Sequence, residues 1–305
     1  MTACGTAARA AATLAAALTL TSCGGASAGP RTVPGLEGSI VDIGGRYLYF
    51  ECVGEGSPTV LLEAGSFGTT RSWRDVQPRL AAATRTCSYD RAGLGGSAAL
   101  PGVHDAADEL GDLEQLLERA DIEPPYILVG HSYGGLLALL FAQAHPDDIV
   151  GVVLVDALHP DFRRTALALV PEGAGFGDLR WEFARAVVGS VDLRASEQAA
   201  RRVRALATRL VVLGAGQTQD PDLPPDLDRS LRRLWDAYQE RLAALSGDSV
   251  HVVALRSDHV VQSRLTGQPE VVVRAVRAVV DAEREAAGLA ACARIFRGLP
   301  VRCVP

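Results

Sequence analysis

Apolar residues along this chain follow two alternating rhythms. Runs such as Val60-Leu-Leu62, Ile127-Leu-Val129, Val152-Val-Leu-Val155, Leu210-Val-Val-Leu213 and Val252-Val-Ala254 are short, rich in β-branched residues and bounded by glycine or polar positions, as buried strands are. Between them apolar positions recur every three to four residues, as on helices that pack by one face. The pattern predicts strands over 39–44, 46–53, 58–64, 85–89, 125–131, 149–156, 209–214 and 249–255, and helices over 72–83, 104–120, 133–145, 228–246 and 269–288. On the 104–120 helix, Ala107, Leu110, Leu113, Leu116 and Leu117 are expected to share the buried face, with acids opposite. Alternation of this kind builds an α/β architecture, a mostly parallel sheet with helices on both faces. Gly44-Gly45 joins the first two strands as an antiparallel hairpin. The rhythm breaks between 157 and 208, where Phe162, Phe176, Trp181 and Phe183 stand among arginines around a flexible Pro171 to Gly177 middle. An insertion at that place reads as a lid over the carboxyl edge of the sheet, with a plain surface elaboration as the alternative.

The first residues have another pattern. After a single charge at Arg9 comes an apolar run from Ala10 to Leu20, the length of a signal-segment core and too short for a permanent span. Leu20-Thr-Ser-Cys23-Gly24 resembles the bacterial lipobox, in which the Cys is lipidated and becomes the new N-terminus. An ordinary secretory signal with an incidental Cys is the other reading. The expected organisation is a signal segment at 1–22, a flexible lipid-anchored tether at 23–35 rich in small residues, and one domain over 36–305. That organisation implies export and anchoring at the outer face of the cell membrane through a lipid on Cys23.

Composition narrows the chemistry. The 305 residues are 48% hydrophobic, enough for a large core, and the net charge is −6. All 30 basic residues are Arg, with no Lys and no Asn, so the surface is acidic and nucleic acid is not an expected partner. None of the six cysteines forms a Cys-x-x-Cys pair, which disfavours a zinc ribbon or a thioredoxin-like site. Neither a metal cluster nor a cofactor fingerprint is evident, and none is expected.

The sharpest signal is Ile127-Leu-Val-Gly130-His131-Ser132-Tyr133-Gly134-Gly135, an apolar strand that enters Gly-x-Ser-x-Gly and continues directly into an apolar helix. In that context the glycines flank a tight turn that lifts the Ser132 hydroxyl to the sheet edge, where the helix N-terminus favours an oxyanion. With this elbow the sequence resembles the α/β-hydrolase superfamily. Val60 to Gly68 looks like the family's exit from strand three, Trp73 to Leu80 like its first helix, and Ser88-Tyr-Asp90-Arg91-Ala-Gly93-Leu-Gly-Gly-Ser97 like its loop after strand four. The likeness covers about residues 36 to 288 and implies that family's fold, here with eight strands and the lid inserted after strand six. It departs where the family's usual His-Gly is Ala64-Gly65. By the resemblance the backbone N–H groups of Ser66 and Tyr133 are the oxyanion donors.

A serine hydroxyl needs a base near neutrality, and His259, four residues past the last strand, stands where the family carries its His. His104, His131 and His145 are read as capping or surface residues, His159 as a loop residue and His251 as packed in its strand. The acid has two candidate places, of which Asp156 is the expected one and the loop after strand seven the alternative. Asp156 ends the apolar strand six, where a buried carboxylate needs a partner, and this resembles some haloalkane dehalogenases and lipases; Asp220 or Asp222 follow strand seven in a proline-rich loop. Glu63 is expected to pair with Arg91. The resulting expectation is a carboxylesterase-like or lipase-like serine hydrolase acting on a small-molecule ester. Amide cleavage or acyl transfer on the same residues, or a non-catalytic cell-surface binding protein, are the alternatives. The family's sheet order would make Cys52 and Cys87 neighbours, so a disulfide is expected there, and Cys292 is expected to bond Cys303 and pin the C-terminal tail.

Overall fold

The computed structural model describes residues 31–32, 38–173, 175–217 and 222–305; the expected signal segment, Cys23, most of the expected tether and Asp220 lie outside them. The strands are β1 (Arg31–Thr32), β2 (Ser39–Asp42), β3 (Tyr47–Val53), β4 (Thr59–Glu63), β5 (Thr86–Tyr89), β6 (Tyr126–His131), β7 (Ile149–Val155), β8 (Val187–Val188), β9 (Val191–Asp192), β10 (Arg209–Ala215), β11 (Ser249–Ala254) and β12 (Val301–Val304). The helices are α1 (Gln77–Leu80), α2 (Ala106–Arg119), α3 (Tyr133–Ala144), α4 (Phe162–Leu169), α5 (Gly177–Ala184), α6 (Leu193–Ala200), α7 (Pro225–Ala243), α8 (Pro269–Arg284) and α9 (Cys292–Ile295).

Among the described residues one sheet runs in the order β1-β2-β3-β5-β4-β6-β7-β10-β11-β12, parallel from β5 to β11 and antiparallel at both ends. It has ten strands where the sequence predicts eight. The additions are edge strands: β1 is two residues long and lies inside the expected tether, and β12 is only partly buried, so neither carries a periodic apolar signal. Side-chain alternation divides the core between the two faces. Leu128, Val152, Leu154 and Val212 meet Leu113, Leu116 and Phe141 of α2 and α3, whereas Val129, Val153, Val155 and Leu213 meet Val272, Val276 and Val279 of α8.

Two helices differ from expectation for identifiable reasons. The 72–83 helix is a 3₁₀ turn at Thr70–Trp73 followed by the separate four-residue α1, because Pro78 in the first turn of α1 cannot bond the carbonyl four residues back. In α2, started by a capping box between Asp105 and Asp108, Ala107 is exposed and the acids Glu109 and Asp112 are buried. Asp112 pairs with Arg46, and Glu109 joins a buried network described below. The disulfides Cys52–Cys87, between directly opposed residues of β3 and β5, and Cys292–Cys303, between α9 and β12, are both formed. No helix of the described residues is long and apolar enough to cross a membrane.

Candidate active site

The carboxyl ends of β4, β6, β7 and β11 converge on one cavity of about 530 Å³ lined by Ser66, Ser132, Asp156 and His259. Each of these side chains is held by a local device.

Ser132 joins β6 to α3 with φ 53° and ψ −120°, a strained conformation for a residue with a side chain. The turn is feasible only because its flanks are glycines. A Cβ on Gly130 would lie 2.4 Å from the Gly134 carbonyl oxygen, and one on Gly134 would lie 2.4 Å from the Glu63 carbonyl oxygen. The Ser132 backbone is bonded on both sides: its N–H donates to Val155 O at 3.1 Å, and its carbonyl accepts from Gly135 and Leu158 N–H, each at 3.0 Å.

Asp156 follows β7 with φ 42°, a left-handed conformation that aspartate tolerates, and it is 1% exposed. Its Oδ2 meets His259 Nδ1 at 2.7 Å; its Oδ1 accepts from Ala215 N at 3.0 Å and from the Trp235 indole Nε1 at 2.9 Å. Three donors on one buried carboxylate satisfy it without a cation. Of the candidate carboxylates, His259 therefore bonds Asp156 at the end of β7, and Asp222 does not line the cavity. Burial of the imidazole pulls its pKa down, but the hydrogen bond and charge of Asp156 outweigh this and hold it above the ordinary 6.5. Among the described residues no hydrogen bond joins His259 to Ser132 Oγ, the loose arrangement common before a substrate is seated.

His131, expected as a surface or capping residue, is 7% exposed, and its Nε2 bonds the His259 carbonyl oxygen at 2.8 Å. That bond requires the proton on Nε2 and ties the loop after β11 to the elbow. Burial and the neighbouring His259 depress its pKa to about 4, so the ring is a neutral strut.

The expected oxyanion donors lie on either side of the elbow. The Tyr133 N–H is the first of α3, where a helix offers no acceptor of its own. The Gly65–Ser66 peptide is oriented by Arg91, whose guanidinium donates to the carbonyls of Ala64 and Gly65 at 2.6 Å each and of Ser66 at 3.1 Å. With the Gly65 carbonyl held there, the trans peptide directs the Ser66 N–H the opposite way. Arg91 also pairs with Glu63 at 2.5 Å, the expected partner, and with Glu109 at 3.4 Å. Burial opposes the charge of Arg91, but these two carboxylates keep it protonated. Glu109 further accepts from Tyr133 Oη at 2.7 Å and lies 3.6 Å from His104, which is buried in this network and not a surface cap. Replacing the family's His by Ala64 thus leaves the loop held from beneath by a buried arginine.

Lid elements α4, α5, β8, β9 and α6 roof the cavity, contributing Phe162, Phe183, Val188 and Leu193 to its apolar wall. Arg163 stitches α4 to the end of α5 by donating to the carbonyls of Glu182 at 3.1 Å and Phe183 at 3.3 Å. Trp181 is 59% exposed and stacks under Arg185 instead of lining the cavity. The sequence reading missed the second wall: Leu231, Arg232 and Trp235 of α7, outside the expected 157–208 lid. The available signal was a tryptophan on the helix that follows β10, a residue type that seldom stands on a partly open helix face without a partner for its N–H. Among the described residues no group of three or more His, Cys, Asp or Glu could hold a metal ion.

A family model described as alpha/beta hydrolase fold matches residues 58–261. The uncharacterized protein YqjL of Bacillus subtilis is 26% identical over 206 residues, covering 68% of this chain and 78% of that protein. A putative carbamate hydrolase, RutD of Yersinia enterocolitica, is 36% identical over 114 residues, 36% of this chain and 41% of that protein. A 2-hydroxy-6-oxo-2,4-heptadienoate hydrolase of Pseudomonas putida is 33% identical over 136 residues, 42% of this chain and 47% of that protein. The matched part thus spans less than half of each of these two hydrolases. Among solved structures, mouse alpha/beta hydrolase domain-containing protein 10 superposes with a TM-score of 0.60 at 15% identity over 81% of this chain and 100% of that one. A thermophilic esterase from Thermogutta terrifontis does so with a TM-score of 0.53 at 22% identity over 79% and 94%. At these identities the structural likeness speaks for the fold.

Proposed function

The chain belongs to the α/β-hydrolase family, and from that premise we propose that it is a serine hydrolase that cleaves a carboxylic ester through an acyl-enzyme on Ser132. The observation that carries the reading is the buried Asp156 carboxylate bonded to His259 in the cavity that also holds Ser132 on its strained elbow. His259 takes the Ser132 proton as the oxygen attacks the ester carbonyl carbon, and Asp156 stabilises the imidazolium that forms. The oxyanion is met by the N–H groups of Ser66 and Tyr133, donors already in place and costing little reorganisation. Collapse expels the alcohol with the proton from His259, and water repeats the sequence on the acyl group. The mostly apolar wall suits an apolar acyl or alcohol portion, and the relatives named as hydrolases agree with hydrolysis as the reaction class.

A fluorophosphonate probe is expected to label the folded protein and not Ser132→Ala, and p-nitrophenyl esters are expected to turn over where the matching anilides do not. Absence of labelling in the folded wild type overturns the reading; faster anilide cleavage moves it to an amidase. We propose further that the protein is exported and anchored through a lipid on Cys23, a reading that two disulfides in a small-residue-tethered domain favour. Cys23→Ser protein that still partitions into detergent defeats it.

A further inference from the structure

We propose that Trp235 is a positioning residue for the acid of the triad: from the wall of the substrate cavity, its indole N–H holds the Asp156 carboxylate in the plane from which Oδ2 reaches His259. The inference rests on the serine-hydrolase reading and adds a part to it.

The terminal torsion of an aspartate is broad, so one donor leaves a carboxylate free to rock. At Asp156 the single backbone donor, Ala215 N at 3.0 Å, is joined on the same Oδ1 by Trp235 Nε1 at 2.9 Å. Two donors in different directions on one oxygen fix the carboxylate plane, which leaves Oδ2 aimed at His259 Nδ1 at 2.7 Å. The indole is itself confined. It stands edge-on to Phe162 of α4, ring centres 4.7 Å apart, and edge-on to His259 at 5.8 Å. One side chain on α7 thereby touches the lid, the cavity, the base and, through its N–H, the acid. Whatever fills the cavity against Trp235 bears on the group that orients the imidazole.

The role has a signature that packing alone lacks. Without the indole N–H the carboxylate rocks about its torsion, the contact that holds the imidazolium loosens, and the pH at which His259 loses its proton falls. The other titratable groups around the pair and its cavity are His131, Asp258, Asp236, Asp228 and Arg232, with Arg163, Glu182 and Arg185 of the lid, and all of them are kept in both variants below.

The test follows the His259 titration by NMR and the pH dependence of kcat/KM in the wild type, Trp235→Phe and Phe162→Leu. Trp235→Phe keeps a ring and loses the N–H; Phe162→Leu loosens the ring packing and keeps the N–H. We expect the His259 midpoint and the acid limb of kcat/KM to move down together by about half a pH unit or more in Trp235→Phe, with kcat lowered about tenfold, and a midpoint that moves up overturns the proposal. In Phe162→Leu we expect a changed KM and an unmoved midpoint. Coincident His259 titrations in the wild type and Trp235→Phe, or equal displacements in both variants, overturn the proposal. Failure of the hydrolase reading looks different: no probe labelling and no turnover in the wild type, with the NMR titration still deciding whether the indole acts on the pair.

Discussion

Replacing Asp156 by Asn changes one atom and tests the centre of the site. In the wild type, Oδ1 accepts from Ala215 N and Trp235 Nε1 and Oδ2 meets His259 Nδ1. The two donors on Oδ1 dictate the orientation of the amide: its oxygen stays with them and its NH₂ faces His259. Nδ1 must then accept, the proton moves to Nε2, and the nitrogen meant to receive the Ser132 proton is occupied. The charge term comes on top. A carboxylate and an imidazolium about 4 Å apart attract by ~4 kcal/mol at an effective dielectric near 20, roughly three decades in rate. With the wrong tautomer added, kcat on a p-nitrophenyl ester should fall about 10³- to 10⁴-fold while KM stays within a few-fold. Because all three contacts remain paired, Tm should move by only a few degrees. If Asp156→Asn retains more than a tenth of wild-type kcat while Ser132→Ala is inactive, the carboxylate at the end of β7 is not the acid, and Asp220 and Asp222 become the candidates to substitute.

The elevated His259 pKa means the base is still protonated at a pH where a free imidazole is not, so a kcat/KM profile should rise along an acid limb centred above pH 6.5. His131 and His251 shift the other way, each held near 4 chiefly by burial. The unfolded chain binds protons there that the folded one refuses, so each contributes stability that is full above pH 6.5 and falls toward pH 4 by about 1.4 kcal/mol per pH unit, while Glu197, raised to about 7 by burial, contributes with the opposite slope. NMR titration midpoints near 6.5 for the His131 and His251 rings contradict the buried, neutral assignment. Gly134→Ala places a methyl 2.4 and 2.5 Å from the carbonyl oxygens of Glu63 and Ala64, backbone atoms of β4 and its exit that cannot step aside. It should lower Tm by roughly 5 °C or more, or prevent folding, as differential scanning calorimetry will show. Cys292–Cys303 ends on an exposed residue whereas Cys87 is 4% exposed, so mass spectrometry after mild reductant should find the C-terminal bond opened first. Removing Cys52–Cys87, with a separation of 35 residues, should cost about 4 kcal/mol, and Cys292–Cys303, with 11, about 3 kcal/mol.

Much of this molecule is written in local pattern. Buried parallel strands are short apolar runs in any context, and glycines at 130 and 134 announce a turn that no other residue can make, so the alternation and the elbow were legible at once. The pairing of Glu63 with Arg91 was legible too, since two opposite charges in apolar surroundings leave each other few alternatives. What failed was whatever depended on a distant partner. Ala107 looked buried and Glu109 exposed on α2, but only the fold brings Arg91 and Tyr133 against that helix and makes a buried glutamate tolerable. His104 and His131 looked like surface residues for the same reason.

The sequence alone determined an alternating α/β chain with a serine on a strained strand-to-helix turn, a histidine after the last predicted strand, and acids after two others. Spacing along the chain could not choose between those acids, because Asp156 and His259 are 103 residues apart and their approach to 2.7 Å is a property of the β7-β10-β11 order. Nor could it show that a tryptophan on α7 donates to that acid, or that an arginine after β5 orients the Ser66 peptide. Secondary structure follows from short-range sterics and periodic burial, which a sequence displays. The orientation of a carboxylate or an amide follows from donors that only long-range packing assembles.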